Sequence, residues 1–160
     1  MAQDILDVLA TEHLEVKDGL NRVLESGSPM QGGAINSELV LVERMTVKHL
    51  YGEEEVFYPR IRSDMPDLVN ASLHEHQEIR THMRQAMANL SDQQMAMRHL
   101  QDLKQAILHH VGEEQDKIFP RVREAFTSQQ LEDMAVDFED AKQRAPSIGA
   151  AIPGRAEASR

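Results

Sequence analysis

Two stretches of the sequence place a histidine four residues ahead of a glutamate, namely His49 with Glu53 and His110 with Glu114. On an α-helix, residues four apart lie about 40° from each other around the axis and one turn apart along it. The two side chains of each pair therefore point to the same side, where the histidine could bind one metal ion and the carboxylate a neighbouring ion. Nitrogen and carboxylate ligands suit iron, manganese or zinc, and bridging carboxylates favour a di-iron or di-manganese site over a single zinc.

The same ligand types recur because the sequence contains an internal repeat. Residues 12–17 and 75–80 both read E-H-x-E-[VI]-[KR], and residues 49–62 and 110–123 both read H-x-x-x-E-x5-P-R-[IV]-R. The offsets between the two pairs of segments are similar, 63 and 61 residues. The chain therefore reads as two helical hairpins related by duplication, and each contributes one lone histidine and one His-Glu pair to a shared interior.

The candidate ligands fall on the apolar stripes of their predicted helices, where a polar side chain needs an explanation. An isolated ionised carboxylate buried between helices costs several kcal/mol unless it is paired or bound to a cation. We therefore predict a two-metal site in which both glutamates bridge the ions, and in which each ion takes one histidine pair. The metal-free alternative is a His-Glu hydrogen-bond network that fixes the helix register. The six predicted ligands are His13 and His49 on one ion, His76 and His110 on the other, and Glu53 and Glu114 between them.

Apolar residues at steps of three or four predict the helices that position these ligands. Stripes extend over about residues 3–24, 36–62, 66–90 and from 91 to beyond 118, with a Gly- and Pro-containing loop at 26–33. Asp64 is a candidate N-cap of the third helix, Ser91 opens a capping box for the fourth, and Thr127 caps a short fifth helix that ends near Arg144. The predicted fold is all-α, an up-down-up-down four-helix bundle over residues 1–144 with that fifth helix at its C-terminal end, followed by a flexible tail at 145–160.

Composition excludes several other classes of function. The chain has no cysteine, which rules out disulfides, thiolate metal sites and thiol catalysis. Its 27 acidic and 17 basic residues give a net charge of −10, which opposes binding to nucleic acid or to an anionic membrane. No segment has the length and apolarity of a transmembrane helix or the pattern of a signal peptide, so we expect a cytoplasmic protein.

The remaining residues of the same chemical types are assigned to surface or core. His109 and Glu113 form a second H-x-x-x-E pair, but they align with a mostly polar strip and we expect them to face solvent. The other residues predicted to lie at the surface are His74, His82, His99, Glu54 and Glu55. A group of methionines is expected to fill gaps in the core, namely Met83, Met87, Met95 and Met97.

Taken together, these motifs resemble the hemerythrin-like, HHE cation-binding domain family over about residues 3–144. The resemblance rests on a lone histidine in the first helix, H-x-x-x-E leading into F-Y-P, a histidine in E-H-x-E, and H-H-x-x-E-E leading into F-P. It implies a four-helix bundle with a non-haem di-iron centre, two iron ions per chain bridged by carboxylates and an oxo or hydroxo group. The six residues above match the ligand positions of that family, and no catalytic residue is assigned.

One position departs from the oxygen-carrying members of this family. Those proteins have a fifth histidine four residues before the position of His76, and Ser72 stands there instead. The resemblance therefore does not by itself imply reversible dioxygen carriage. Ser72 could leave a coordination position open or water-filled, or a nearby carboxylate or tyrosine could replace the histidine.

Three functions follow as hypotheses. The first is a di-iron protein that binds or senses a small molecule such as dioxygen, nitric oxide or peroxide, or that handles iron. The second is a di-iron enzyme that turns over peroxide or nitric oxide at the position left by Ser72. The third is a metal-free helical module that docks a protein partner through its acidic surface.

Overall fold

The computed structural model describes residues 2–146, which form helices joined by short turns. The second and fourth helical rods each contain a short π-helical segment, and we label those segments π1 and π2. In chain order the elements are α1 (Ile5–Ser26), β1 (Met30–Gln31), β2 (Ala34–Ile35), α2 (Ser37–Gly52), π1 (Glu53–Phe57), α3 (Tyr58–Ile61), α4 (Pro66–Ala88), α5 (Gln93–Glu113), π2 (Glu114–Ile118), α6 (Phe119–Ala125) and α7 (Ser128–Gln143).

The rods pack as the predicted up-down-up-down four-helix bundle. Helix α1 contacts both α2 and α5, and α4 packs along α5. Helix α7 is the predicted fifth helix, and it lies against α1, α2 and π1 rather than extending away from the bundle. Within the described residues, none of the helices is both long and apolar enough to cross a membrane. Most of the predicted tail, residues 147–160, lies outside the described part of the chain.

Of the three helix caps predicted from the sequence, one is confirmed and two are wrong. Thr127 and Gln130 form the predicted capping box at the start of α7. Helix α5 is capped by Asp92 and not by Ser91, because the Asp92 carboxylate accepts from the backbone N–H of Met95 at 3.1 Å. The prediction of Asp64 as N-cap is also wrong, since Met65 occupies the N-cap position of α4 without a side-chain hydrogen bond.

A two-residue β-hairpin stands where the sequence predicted only a loop. Met30 pairs with Ile35 and Gln31 with Ala34. The two glycines between the strands have φ angles of 58° and 84°, values that favour glycine and suit the tight turn of a short hairpin.

Each π-helical segment ends two residues before one of the two prolines of the repeat. A proline inside an α-helix lacks the backbone N–H and its ring clashes with the carbonyl four residues earlier. The wider π turn accommodates this, and the N–H of Tyr58 and of Phe119 reach back five residues to the carbonyls of Glu53 and Glu114. Both segments therefore begin at the glutamates of the predicted site.

The apolar interior is divided into two layers by a polar layer. One layer lies near the α1 N-terminus and includes Leu9, Phe57 and Phe138, and the other includes Leu20, Leu39 and Leu100. All six predicted ligands lie between the two apolar layers along their helices.

Of the four methionines expected in the core, Met83 is buried, and Met87 and Met97 pack at the edge of the second apolar layer. Met95 is exposed, contrary to the prediction.

Candidate metal centre

The six predicted ligands converge in the polar layer, and none of them is more than 6% exposed. Helices α1 and α4 each supply one histidine, while α2 and α5 each supply a histidine in the last turn before the π segment that begins with the glutamate. The duplicated hairpins thus place equivalent residues on opposite sides of one interior.

Glu53 lies between the two histidine pairs. Its Oε1 is 3.0 Å from Nε2 of His49 and 3.9 Å from Nε2 of His13. Its Oε2 is 3.0 Å from Nε2 of His76 and 3.8 Å from Nε2 of His110. Each pair, together with Glu53, forms a group whose ligand atoms lie within 4.8 Å of one another and could hold a metal ion. One carboxylate therefore faces two candidate cation positions, as a bridging ligand must.

Glu114 approaches the same centre from the opposite helix. Its Oε2 is 3.0 Å from Nε2 of His110 and 4.0 Å from Nε2 of His13. Its contact with the His110 side is therefore the closer of the two.

Several buried polar atoms in this layer have no hydrogen-bond partner within the protein. They are Nδ1 and Nε2 of His13, Oε1 of Glu114, and the facing atoms Nε2 of His49 and Oε1 of Glu53, which lie 3.0 Å apart without hydrogen-bond geometry. Leaving such a group unsatisfied costs about 1–3 kcal/mol each, so a native interior seldom concentrates them. Cations coordinated by these histidine nitrogens and carboxylate oxygens would satisfy them. The donor set thus fits a pair of transition-metal ions.

Burial and neighbouring charges shift the pKa values of several side chains in the centre. Burial and the neighbouring Glu53 carboxylate raise the pKa of Glu114 to about 7. Burial, together with the charge of His49, lowers the pKa of His13 to about 3. Burial would also lower the pKa of His49, but Glu53 and Glu12 raise it to about 10. Cation binding at this centre would therefore displace protons from Glu114 and His49.

Three of the four histidines are oriented by a carboxylate on the side away from the centre. The Nδ1 atoms of His49, His76 and His110 lie 3.0, 2.8 and 3.0 Å from Glu12, Glu54 and Glu75, respectively. Because an ionised carboxylate only accepts hydrogen bonds, Nδ1 carries a proton, and Nε2 is the nitrogen that a metal ion would bind, displacing any proton held there. Such outer partners fix the tautomer and the orientation of a metal-binding histidine.

These carboxylates are themselves held in place. Arg80 donates to both oxygens of Glu54 at 2.7 and 2.9 Å, Lys142 donates to Glu12, and His109 lies 3.0 Å from Glu75. Burial alone would raise the pKa of Glu54, but hydrogen bonds from His76 and Arg80 lower it below the usual range. Glu54 therefore belongs to the centre, and the prediction that it faces solvent is wrong, whereas Glu55 is exposed as predicted.

The motif that was used to find the histidines also contained two of these partners. Glu12 and Glu75 are the glutamates that precede the histidine in each E-H-x-E segment, and each binds the second histidine of its own hairpin. Their recurrence in both halves of the repeat could have identified them as partners of the metal-binding histidines.

Of the histidines expected at the surface, His74 and His109 are exposed, whereas His82 and His99 are half-buried, contrary to the prediction.

The two halves of the centre differ at His13. By the repeat, the residue that corresponds to Glu54 is Gln115, which is exposed, and Nδ1 of His13 has no hydrogen-bond partner. Instead the ring of Phe119 stacks on His13 at a centroid distance of 6.1 Å. His13 is thus positioned by packing, whereas its counterpart His76 is positioned by a charged hydrogen bond.

Tyr58 is the repeat counterpart of Phe119, and its hydroxyl reaches the centre. The oxygen lies 3.1 Å from Nε2 of His76, 3.3 Å from a carboxylate oxygen of Glu53 and 3.4 Å from one of Glu114, so its single proton can be donated to one of these three at a time. Ser72 is buried beside it and hydrogen-bonds to the same hydroxyl. Burial and the two carboxylates raise the pKa of Tyr58 well above its usual range. Of the alternatives for the position left by Ser72, a tyrosine is the one that the structure brings to the site.

The outer carboxylates give a direct test of the centre. We expect Glu75→Gln to weaken metal binding by about 10–100-fold, because an amide fixes the tautomer of His110 less well than a carboxylate does. Isothermal titration with Fe²⁺ under anaerobic conditions measures the change. Glu78→Gln is the matched control, since Glu78 lies on the same helix and, among residues 2–146, its ion pair is with the exposed His74. Equal affinities of the two variants would show that Glu75 does not support the site.

Comparison with known proteins agrees with this geometry. The sequence matches the family described as the Hemerythrin HHE cation binding domain over residues 4–122. It is also similar to a protein named DNA nickase from Nostoc sp. (strain PCC 7120), at 25% identity over 142 residues, and these cover 88% of the chain but 40% of that relative. The chain therefore spans about two fifths of the relative's length. No solved structure matches the chain significantly. On its sequence match, its helical bundle and its buried His-Glu groups, the chain belongs to the hemerythrin HHE cation-binding domain family.

Proposed function

We propose that this protein holds two iron ions at the six-residue centre and uses them to bind or sense a small molecule such as dioxygen, nitric oxide or peroxide, or to handle iron. The observation that carries the proposal is Glu53, whose two oxygens each face one histidine pair. His13, His49 and Glu53 would hold one ion, and His76, His110 and Glu53 the other, with Glu114 between them. Bridging carboxylates with histidine favour iron or manganese over zinc.

The surroundings of the centre support a small ligand. A cavity of about 20 Å³ lies against His13, His49 and His110 and is otherwise lined largely by apolar side chains such as Val16, Ile79 and Ile107. That volume is enough for about one water-sized molecule. When bound, the iron pair would supply redox and Lewis-acid chemistry. The apolar lining would keep bulk water and larger substrates away from it.

Iron loading tests this proposal. We expect about two iron ions per chain after anaerobic loading and desalting, with ligand-to-iron charge-transfer bands in the near ultraviolet after exposure to air. Removal of the metal with a chelator should lower the melting temperature, because a ligand that binds only the native state stabilises it. Less than one metal ion per chain, with an unchanged melting temperature, would instead favour a metal-free interaction module.

Turnover of peroxide is a second candidate function, and Tyr58 is the observation that favours it. Its hydroxyl donates towards the carboxylates of the centre and could deliver a proton to a bound oxidant. We expect Tyr58→Phe to keep its iron but to lose about 10²-fold or more in the rate of peroxide consumption, since general acid catalysis contributes about 10²–10⁴-fold. The chain has two tyrosines, so Tyr51→Phe is the matched control. An unchanged rate of peroxide consumption in Tyr58→Phe would contradict this role of Tyr58 and would favour binding or sensing as the function.

Two observations argue against extending the nicking activity named for the Nostoc relative to this chain. The net charge of −10 opposes contact with a phosphate backbone. The similarity also covers less than half of that relative.

A further inference from the structure

A second group of metal-binding side chains lies outside the centre, on the groove between α4 and α5. One ring nitrogen each of His82 and His99 and one carboxylate oxygen of Asp102 lie within 4.8 Å of one another. His82 belongs to α4, whereas His99 and Asp102 are three residues apart on α5 and so share one face of that helix. The group thus joins the two helices of the second hairpin.

Each of the two histidines in this group has a buried ring nitrogen without a hydrogen-bond partner. Their Nδ1 atoms are enclosed and have no hydrogen-bond partner within the protein, although both side chains are only half-buried. An imidazole nitrogen shielded from water is stabilised by a hydrogen-bond partner or by a metal ion. Asp102 is exposed, so that it can rotate to complete a ligand set.

The surroundings favour a cation over an anion. The adjoining groove has a volume of about 600 Å³ and is lined by Glu78 and Asp102 and by the neutral amides Gln77 and Gln105, together with histidines. No Lys or Arg belongs to this lining. The groove also opens His82 and Asp102 to solvent, so a metal ion can approach these two ligands and water can fill the remaining coordination positions.

We propose that His82, His99 and Asp102 form a second, mononuclear site for a divalent transition-metal ion of the zinc class. Two nitrogens and one carboxylate oxygen suit Zn²⁺ or Co²⁺, whereas Mg²⁺ and Ca²⁺ prefer oxygen alone. Ligand atoms around a tetrahedral zinc lie about 3.4 Å apart at bond lengths of about 2.1 Å. The three ligand atoms lie within 4.8 Å of one another, so movements of about 1 Å among the side chains would close the set. The site lies about 9 Å along α4 from His76, towards the turn that joins the hairpin. A bound ion would therefore tie α4 to α5 near that turn without using any ligand of the central pair.

Zinc titration of the full chain, first loaded with iron so that the central ligands are occupied, tests the proposal. We expect the wild-type protein to take up one further Zn²⁺ per chain by calorimetry and elemental analysis after desalting. His99→Gln and His82→Gln should bind that zinc more than tenfold more weakly, because the loss of a direct ligand exceeds the about 10–100-fold effect of an outer partner. Zinc should also raise the melting temperature of the wild type but not of the variants.

His74→Gln is the control, because His74 lines the same groove but belongs to no ligand group found among the described residues. It should bind zinc as the wild type does. Iron content and the near-ultraviolet spectrum, measured on every variant, show whether the fold and the central pair are intact. Zinc affinity that is equal in wild type and His99→Gln, or no further zinc uptake by the wild type, would overturn the proposal. If the chain does not retain iron, the same comparison is made on Glu53→Gln, in which the central groups are broken.

Discussion

Glu53→Gln is expected to reduce bound iron from about two ions per chain to well below one. Glu53 belongs to both groups of ligands that face the centre, and its two oxygens approach different histidine pairs. A neutral amide keeps the size of the side chain but offers one oxygen, so it cannot bridge two cations. Elemental analysis after anaerobic loading and desalting measures the loss, and the near-ultraviolet bands should disappear with it.

The two neighbouring carboxylates separate this effect from a general loss of charge. Glu114→Gln should lose less iron than Glu53→Gln, because neither group of three ligand residues includes Glu114. Glu55→Gln should keep both ions, since Glu55 is exposed in the same π segment. If Glu53→Gln retained two ions, then Glu53 would not be the bridge and the proposed arrangement of ligands would be wrong.

Gly52→Ala is expected to lower the free energy of unfolding by about 1–3 kcal/mol, the usual cost of an overpacked core. A Cβ atom at this position would lie 2.5 Å from Cε2 and 2.7 Å from Cδ2 of Phe138, a buried ring on α7. That ring also contacts His49, with a centroid distance of 6.0 Å. The clash should therefore displace α7 and disturb one metal ligand as well. Urea unfolding and iron affinity, measured on the same preparation, give both effects.

Gly112→Ala is the matched control in the second half of the repeat. Gly112 also lies in the last turn before a π segment, but a Cβ there would meet no atom within 4 Å. Replacing a helical glycine by alanine without a clash stabilises a helix by up to about 1 kcal/mol. Opposite signs for the two variants would confirm that the close packing of α7 is what requires Gly52. A Gly52→Ala protein as stable as Gly112→Ala would show that α7 does not rest on α2 in solution.

The fold and the convergence of the six side chains could be predicted from sequence because both depend on helical periodicity. An apolar stripe interrupted by a histidine and a glutamate at the same place in each repeat has few structural solutions. The choice of His110 over His109 followed from that stripe, and His109 indeed lies outside the ligand group, with its ring largely exposed. Local patterns of this kind depend on neighbours within one or two turns.

The features that sequence did not predict depend on partners far along the chain. Glu54 sits among acidic residues that look solvated, and its role is set by Arg80 and His76 on another helix. Tyr58 reaches the centre from the turn that follows π1, and nothing in the periodicity predicted a π segment there. His82 and His99 are shielded because two helices pack side by side at that point. Such contacts follow from tertiary packing, which a stripe on a single helix does not contain.

The unequal support of His13 and His76 has a consequence for the history of the site. A duplicated hairpin begins with two identical halves, so two metal positions between them begin with equivalent surroundings. Here one half has Glu54 and Tyr58 where the other has Gln115 and Phe119, so the surroundings of His76 and His13 now differ in charge and in the presence of a hydroxyl proton. Divergence between the two copies of one ancestral hairpin would thus have given the two metal positions different surroundings.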